Sequence, residues 1–323
     1  MRKKLFSYAK KFLPLIGIVI LIILIINLDV EKIKNAFLSI EPIYVIIALS
    51  LTLPAMLVRN IAWQLLQREQ KIHISFYRSL KIYMIGFFYC SITPAYAGHL
   101  MRVPYMEEET NQPYGKLFVN VFIDSTLRTI GQYFMILIGA TLVFSTRPDI
   151  FWINAILLSI TLVLSFYFIK KERGEKVIFT LIRFFIPKRY KDKFYSFVNT
   201  FYKDFPRITR LIPIMFINLL SWLIIFSQEY IIVMALGLEI PFHLFILLFP
   251  LANVAGFLPI TFAGLGVREA ASIAIFSTLF AIGKEEILVF TLVGFIITDM
   301  FPGFIGFLVS LTEAGEKKSP ITN

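Results

Sequence analysis

Residues 242–282 read FHLFILLFPLANVAGFLPITFAGLGVREAASIAIFSTLFAI, and this stretch decides the fold class. It is apolar but too long for one membrane-spanning helix, which needs about 20 residues. Pro259, Gly264 and Gly266 interrupt it. Proline removes a backbone donor and glycine permits strained dihedral angles, so the helix must break there. We predict that the segment enters the membrane and returns, either as a hairpin or as two helices.

The rest of the chain has the composition of a polytopic membrane protein. Of its 323 residues, 58% are hydrophobic and 16% are charged. Soluble domains contain about 45–50% apolar residues and about 25% charged residues. A single cysteine excludes a disulfide scaffold. The net charge of +11 is typical of cytoplasmic loops that face anionic lipid. We predict an all-α polytopic membrane protein, with one integral membrane domain over residues 1–323, in the cytoplasmic membrane.

Six apolar runs are long enough to be full spans. They cover residues 13–28, 42–62, 117–143, 150–169, 211–236 and 287–311. The first follows a basic N-terminus as a signal peptide would, but no small-residue cleavage site follows it, so we predict a retained anchor.

Lysine and arginine are unevenly distributed between the two sides of these spans. Of the 32 basic residues, 26 lie on one side, in residues 1–12, 59–81, 98–117, 170–210 and 312–323, and four lie on the other side. The positive-inside rule makes the richer side, with both termini, cytoplasmic. The segment 170–210 interleaves twelve basic residues with aromatic ones. We predict that it is an interfacial segment on anionic lipid and not a nucleic-acid site.

This orientation requires residues 80–106 also to enter and leave on one side. Their first part, 80–93, holds about fourteen residues and reaches only about 21 Å, short of a layer of about 30 Å. The break then reads TPAYAG over residues 93–98. We therefore predict two re-entrant hairpins, one from each side of the membrane.

The two breaks resemble each other in sequence. Residues 96–102 (YAGHLMR) align without a gap on residues 262–268 (FAGLGVR). Each has an aromatic residue, Ala-Gly, and an arginine four residues after the glycine, with Pro94 or Pro259 upstream. Hairpins that enter from opposite sides indicate an inverted-topology repeat with its substrate near the midplane. The alternative is a chance match, because short Ala-Gly-x-x-x-Arg matches are common in apolar sequence.

Outside the basic loops, six charged residues lie in apolar segments, where each costs about 2.5–3.5 kcal/mol unless it is paired or lines a cavity. They are Asp124, Arg128, Glu229, Arg268, Glu269 and Asp299. Asp124 and Arg128 are spaced i,i+4 and are predicted to form a local pair. Arg268 and its neighbour Glu269 are not expected to share a helix face, so the predicted partner of Arg268 is Glu229 or Asp299. The alternative is that these charges only lock helices together.

An opened hairpin tip exposes backbone N–H groups, and a nearby arginine offers a fork that suits phosphate. We predict that Arg102 and Arg268 bind an anionic headgroup. The predicted substrate-binding set also includes the tip residues Pro94, Gly98, Pro259, Gly264 and Gly266. We predict that four acids balance charge or relay protons, namely Asp124, Glu229, Glu269 and Asp299, and that Arg128 is a further charge partner.

The sequence contains no phosphate-binding loop, serine-hydrolase or zinc-protease motif. His73, His99 and His243 lack the spacing of metal ligands. We therefore expect no catalytic residue, no metal and no cofactor.

Residues 257–271 (FLPITFAGLGVREAA) resemble the Pro-Ile…Gly-Gly-Leu-Gly-x-Arg-Glu signature of the lysylphosphatidylglycerol synthase transmembrane-region family. These are flippase-like integral membrane proteins. The pattern Pro94…Gly98…Arg102 resembles the family's first Pro-Gly-x-x-x-Arg segment, and the likeness covers essentially the whole chain. Two features depart from the family. Ala263 replaces a usual glycine, and the acidic-Arg dipeptide of the next helix becomes Asp124-Ser125, with Arg128 one turn later.

The resemblance implies a plasma-membrane protein related to the lipid-translocating half of the multiple peptide resistance factor. In that protein a separate soluble domain aminoacylates phosphatidylglycerol, and we expect no room for such a domain in the twelve residues after the last span. Our first hypothesis is a translocator of an anionic lipid, either an aminoacyl-phosphatidylglycerol or a polyprenyl phosphate. The second is a membrane subunit whose catalytic partner, an aminoacyl- or glycosyl-transferase, is encoded separately. The third is a non-transporting scaffold.

Overall fold

The structure is a computed structural model that describes residues 15–94, 96–169, 197–201, 205–258 and 261–316. Within these ranges the chain forms helices and no β-strand. The helices are α1 (Leu15–Ile26), α2 (Val30–Ser39), α3 (Pro42–Ser50), α4 (Thr52–Glu69), α5 (Phe76–Ser91), α6 (Arg102–Thr110), α7 (Tyr114–Leu142), α8 (Pro148–Ile169), α9 (Ile208–Ala235), α10 (Phe242–Ala255), α11 (Val267–Phe280), α12 (Lys284–Phe295) and α13 (Phe301–Glu316). The all-α membrane fold is thereby confirmed.

Five segments of the described chain are helical, apolar and long enough to cross a membrane. They are Pro42–Glu69, Tyr114–Leu142, Pro148–Tyr167, Ile208–Ala235 and Lys284–Glu313. Each coincides with a predicted span, and the sixth predicted span, 13–28, contains α1. Most of the predicted interfacial segment, residues 170–196 and 202–204, lies outside the described residues.

Both interrupted segments are hairpins. After α5 the chain breaks, forms a 3₁₀ helix at Ala97–Met101 that packs back on α5, and continues as α6. In the second segment α10 packs against α11. Each of these two helices has 14 residues, about 21 Å at 1.5 Å per residue, which is too short to cross a layer of about 30 Å. Residues 242–282 therefore form a hairpin and not two full spans.

Ion pairs and hydrogen bonds define two opposite ends of the helix bundle. At the first end, Arg78 pairs with Glu109 and with Glu313, and Arg210 lies 2.7 Å from Glu69. At the second end, the backbone N–H of Asp29 donates to Glu285, and Arg147 donates to Thr278. Hairpin 76–110 starts and finishes at the first end, whereas hairpin 242–280 starts and finishes at the second. The two hairpins therefore enter the bundle from opposite ends, as predicted.

The chain repeats one architectural unit twice. Each unit is a long helix, a broken hairpin and a second long helix: 42–69, 76–110 and 114–142 in the first, then 208–235, 242–280 and 284–316 in the second. The leading long helices α4 and α9 pack against each other. Each trailing helix packs on the hairpin of the other unit, α7 on α10 and α13 on α5. This reciprocal packing is what an inverted repeat requires.

Candidate functional site

The tips of the two hairpins touch inside the bundle. Pro94 and Phe262 form an isolated antiparallel backbone bridge. The Tyr96 hydroxyl donates to the carbonyl oxygen of Ala263 at 2.9 Å, and it lies 3.2 Å from Asp299 Oδ1. The edge of the Tyr96 ring meets Phe257, with 5.4 Å between the ring centroids. The two segments that aligned in sequence are thus in direct contact, although Pro259 lies outside the described residues.

The predicted glycines allow close backbone approach at both tips. A Cβ on Gly98 would overlap the backbone of Tyr89 and Cys90, so a glycine is needed to seat the 3₁₀ helix against α5. Gly266 has φ 87°, a region that glycine enters without steric cost. A side chain there would also overlap the backbone of Gly17 in α1. Gly264, at φ 81°, packs on Gly256 in the same way.

Arg102 is completely buried in the first turn of α6. Its Nη2 atom lies 3.0 Å from Asp124 Oδ2 on α7, and its guanidinium carbon lies 4.6 Å from the centroid of the Trp63 ring. Asp124 also pairs with Arg128, as predicted, but at the longer distance of 3.5 Å. One carboxylate therefore connects the first hairpin to α7 through two arginines, and the closer partner is one that the i,i+4 rule does not find.

Arg268 occupies the matching place in the first turn of α11 and is also buried. Its Nη1 atom lies 3.0 Å from Asp299 Oδ2, which confirms one of its two predicted partners. Glu229 makes no ion pair with Arg268 among the described residues. The prediction that Glu269 would be out of reach is wrong, since Arg268 Nη2 lies 3.3 Å from Glu269 Oε1. Glu269 caps the helix by accepting from the Gly266 N–H at 2.5 Å, which turns its carboxylate back toward Arg268.

A cavity of about 200 Å³ lies beside the meeting point of the tips. Because one water occupies about 30 Å³ of liquid, it has room for several waters or one small polar headgroup. Its polar and charged lining comprises Arg59, Tyr96, His99, Ser125, Arg128, Thr129, Glu229, Asn253, Thr298 and Asp299. Arg102 and Arg268 do not line it; the partner of Arg268, Asp299, does, whereas the partner of Arg102, Asp124, does not.

Arg59 is the cavity residue that the sequence reasoning missed. Arg59 was counted among the cytoplasmic basic residues of 59–81, although it also falls in the predicted span 42–62. Helix α4 carries it into the bundle, where it is 5% exposed. It stacks between Trp222 and Phe87, with its guanidinium carbon 4.6 and 5.2 Å from the two ring centroids. It forms no ion pair with any described residue, and its Nε atom is buried without a hydrogen-bond partner. An unpaired buried arginine beside a cavity is a candidate anion ligand.

The charges around the cavity are segregated. On one side lie Arg59, Arg102 and Arg128 with one acid, Asp124. On the other side lies Arg268 with three acids, Glu229, Glu269 and Asp299. The cavity therefore has one wall rich in basic groups and one rich in acidic groups. Among the described residues no cluster of three or more His, Cys, Asp or Glu could hold a metal ion.

Comparison with known proteins agrees with this architecture. The sequence model of the lysylphosphatidylglycerol synthase transmembrane region matches residues 14–306. A UPF0104 membrane protein of Pyrococcus horikoshii is 23% identical, over 94% of this chain and 96% of its own length. A UPF0104 membrane protein of Methanothermobacter thermautotrophicus is 23% identical, over 82% of this chain and 84% of its own length. The chain thus belongs to the lysylphosphatidylglycerol synthase transmembrane-region family.

Proposed function

We propose that the protein translocates an anionic lipid across the cytoplasmic membrane by holding its headgroup in the cavity between the hairpin tips. The observation that carries this proposal is Arg59, a buried arginine without an acidic partner that faces the cavity. Arg128 lines the same wall and shares its one carboxylate with Arg102. Both guanidinium groups are therefore available to the oxygens of a phosphate, which suit their fork-like geometry.

The surroundings of the cavity suit an amphiphile better than a free anion. An apolar groove of about 450 Å³ lies between α7, α8 and α9. Phe122, Thr126 and Ile130 of α7 line the groove, whereas Ser125 and Thr129 of α7 line the cavity. The two spaces thus occupy adjacent faces of one helix. A lipid can place its headgroup in the cavity and its chain in the groove.

The arrangement of the hairpins favours movement of the lipid between leaflets over simple binding of the lipid. The hairpins enter from opposite ends, and among the described residues their tips meet at the Pro94–Phe262 bridge, the Tyr96–Ala263 hydrogen bond and the Tyr96–Phe257 ring contact. Displacement of either tip opens the cavity toward one end. In this proposal Arg102 and Arg268 hold the tips in place through Asp124 and Asp299, and their direct contact with the headgroup stays a prediction.

The orientation follows from the basic residues at the bundle ends. Arg68, Lys71, Arg78, Lys81 and Arg210 lie at or beside the first end, and we propose that this end faces the cytoplasm. Hairpin 76–110 then enters from the cytoplasm.

Reconstitution in vesicles of phosphatidylethanolamine and phosphatidylglycerol tests this function. The vesicles carry a trace of fluorescent phosphatidylglycerol or of fluorescent polyprenyl phosphate, and a membrane-impermeant quencher reports its leaflet. We expect the wild-type protein to exchange at least one probe between leaflets. Arg59→Gln should slow the exchange by about 10–100-fold, since a hydrogen bond to a charged group contributes about 1.5–3 kcal/mol.

Arg210→Gln is the matched control because Arg210 is 58% exposed and pairs only at the bundle end. It should exchange lipid at the wild-type rate. Absence of exchange by the wild-type protein with both probes contradicts lipid translocation. Exchange that is equally fast in Arg59→Gln contradicts the assigned site.

A further inference from the structure

Two carboxyl groups converge on one hydroxyl at the acidic wall of the cavity. Thr298 Oγ1 lies 3.2 Å from Glu229 Oε1, 3.0 Å from Asp299 Oδ2 and 3.0 Å from the carbonyl oxygen of Gly294. A hydroxyl group carries one proton to donate, whereas an ionised carboxylate only accepts. Three acceptors therefore compete for one proton if both acids are ionised. If one carboxyl group carries a further proton, that group can donate to the Thr298 hydroxyl and no longer competes for the hydroxyl proton.

The surroundings show which acid would hold that proton. Asp299 has a charge partner of its own, since it pairs with Arg268 at 3.0 Å, and the Tyr96 hydroxyl lies 3.2 Å away. Glu229 is 1% exposed, and within the described chain it has no ion pair, while its Oε2 atom has no hydrogen-bond partner. It packs so closely on Gly294 that a Cβ there would overlap its carboxyl group. An ionised carboxylate is costly in such a place, and a neutral carboxylic acid is not.

The backbone at this point is also irregular. Thr298 and Asp299 lie in a π-helical stretch, Ile296–Met300, between α12 and α13. Such single-turn widenings occur frequently at functional sites. Here the extra residue in the turn brings Thr298 to Glu229 on α9 and Asp299 to Arg268 on α11.

We propose that Glu229, Thr298 and Asp299 form a proton-binding site in which Glu229 carries the proton. The charged and titratable groups that face Glu229 from the surrounding elements are Arg59, Tyr96, His99, Arg128, Arg268, Glu269 and Asp299. An anion that enters the cavity adds negative charge beside Glu229. The anion and the proton therefore each favour binding of the other, as linkage requires.

Coupling of the bound proton to the lipid rests on the proposed function and supplies an energy source for it. A headgroup with one negative charge that moves together with one proton carries no net charge across the membrane. A proton gradient then drives lipid toward the leaflet on the alkaline side. Asp299 connects the proton site to the hairpin tips, because the same carboxylate contacts Arg268 of the second hairpin and Tyr96 of the first.

Infrared difference spectroscopy of the purified full chain in phosphatidylcholine nanodiscs tests the proton site without any transport. At neutral pH we expect the C=O stretching band of a protonated carboxyl group in the wild-type protein, and its loss in Glu229→Gln. Glu229→Asp should keep a shifted band, which guards against a variant that fails to fold. Glu313→Gln is the matched control and should leave the band unchanged, because Glu313 pairs with Arg78 and Lys81. Absence of the band in the wild-type protein, or its persistence in Glu229→Gln, overturns the proposal.

The same vesicles used for lipid exchange test the coupling. For one proton per monoanionic lipid, a gradient of about one pH unit should change the leaflet ratio of the probe about tenfold at steady state. Glu229→Gln should give the same ratio with and without the gradient. A wild-type protein that exchanges lipid but ignores the gradient overturns the coupling. A wild-type protein that moves no lipid contradicts the proposed function instead, and the infrared band then decides the proton site alone.

Discussion

The Tyr96 hydroxyl of the first hairpin lies 2.9 Å from the backbone carbonyl of Ala263 in the second. Tyr96 is also within 3.2 Å of Asp299, the partner of Arg268. A single side chain thus joins both hairpins and the acidic wall of the cavity. Its position in sequence is the start of the motif that the two hairpins share.

Tyr96→Phe removes the hydroxyl and should lower the free energy of unfolding by about 1–3 kcal/mol, because it leaves a buried carbonyl without its donor. Thermal unfolding of the detergent-solubilised protein measures this loss. Tyr77→Phe is the control, since Tyr77 is 79% exposed, and its melting temperature should match that of the wild type. Equal melting temperatures for all three proteins would show that the tips are not held by this bond.

Gly98→Ala should destabilise the first hairpin by about 1–3 kcal/mol, the usual cost of overpacking. The added Cβ would overlap the backbone of Tyr89 and Cys90, which cannot move aside as a side chain can. Limited proteolysis and thermal unfolding report the change. In the control Gly131→Ala the nearest atom is Cδ2 of Leu219 at 3.2 Å, the mobile end of a side chain, and Gly131 lies within helix α7, so no comparable loss of stability should appear.

Ala263→Gly should stabilise the protein by about 1 kcal/mol. Ala263 has φ 45°, a left-handed conformation that costs an L-residue about 1–2 kcal/mol but not glycine. The hydrogen bond from Tyr96 uses the backbone carbonyl and survives the change. Ala48→Gly, in the regular helix α3, should instead destabilise by about 1 kcal/mol. A fall in melting temperature for Ala263→Gly would contradict the strained conformation.

The Arg102–Asp124 pair is suited to a double-mutant cycle. Arg102→Gln or Asp124→Asn alone should cost about 3–5 kcal/mol, because each leaves a buried charge without its main partner. The double variant should cost less than the sum of the two, because the Arg102–Asp124 interaction is lost only once, although Arg128 also loses its carboxylate. Thermal unfolding of the four proteins provides the coupling energy. Strict additivity would show that the 3.0 Å contact makes no energetic contribution.

The features that depend on local sequence were predicted well. The apolar runs give the spans, and Pro and Gly mark both breaks, because helix length and helix interruption are properties of neighbouring residues. The pairing of Arg102 with Asp124 was not predicted, because it depends on how α6 crosses α7. The proximity of Glu269 to Arg268 was missed because a helix cap redirects the side chain from the position that helix periodicity assigns to it.

Arg59 was counted with the cytoplasmic basic residues because it lies close to the end of the apolar run near residue 62, and the polar residues that follow resemble a cytoplasmic segment. A signal was nonetheless present. Asn60, Gln64 and Gln67 recur at helical spacing, and all three are buried in the structure and bonded to the chain between Ile74 and Ser79. Polar residues on one helical face next to a span indicate a longer helix with a buried polar side. That pattern would have placed Arg59 among the charges buried in the bundle.

The reciprocal packing of the two units, α7 on the hairpin of the second and α13 on the hairpin of the first, makes them interlocked halves. Each hairpin packs against helices of both halves, so each half should gain stability once the other has been synthesised. The same packing disfavours motion of the halves as independent rigid bodies. When one hairpin withdraws toward its own end, it must slide along a helix that belongs to the opposite half, so motion on one side of the membrane is mechanically transmitted to the other.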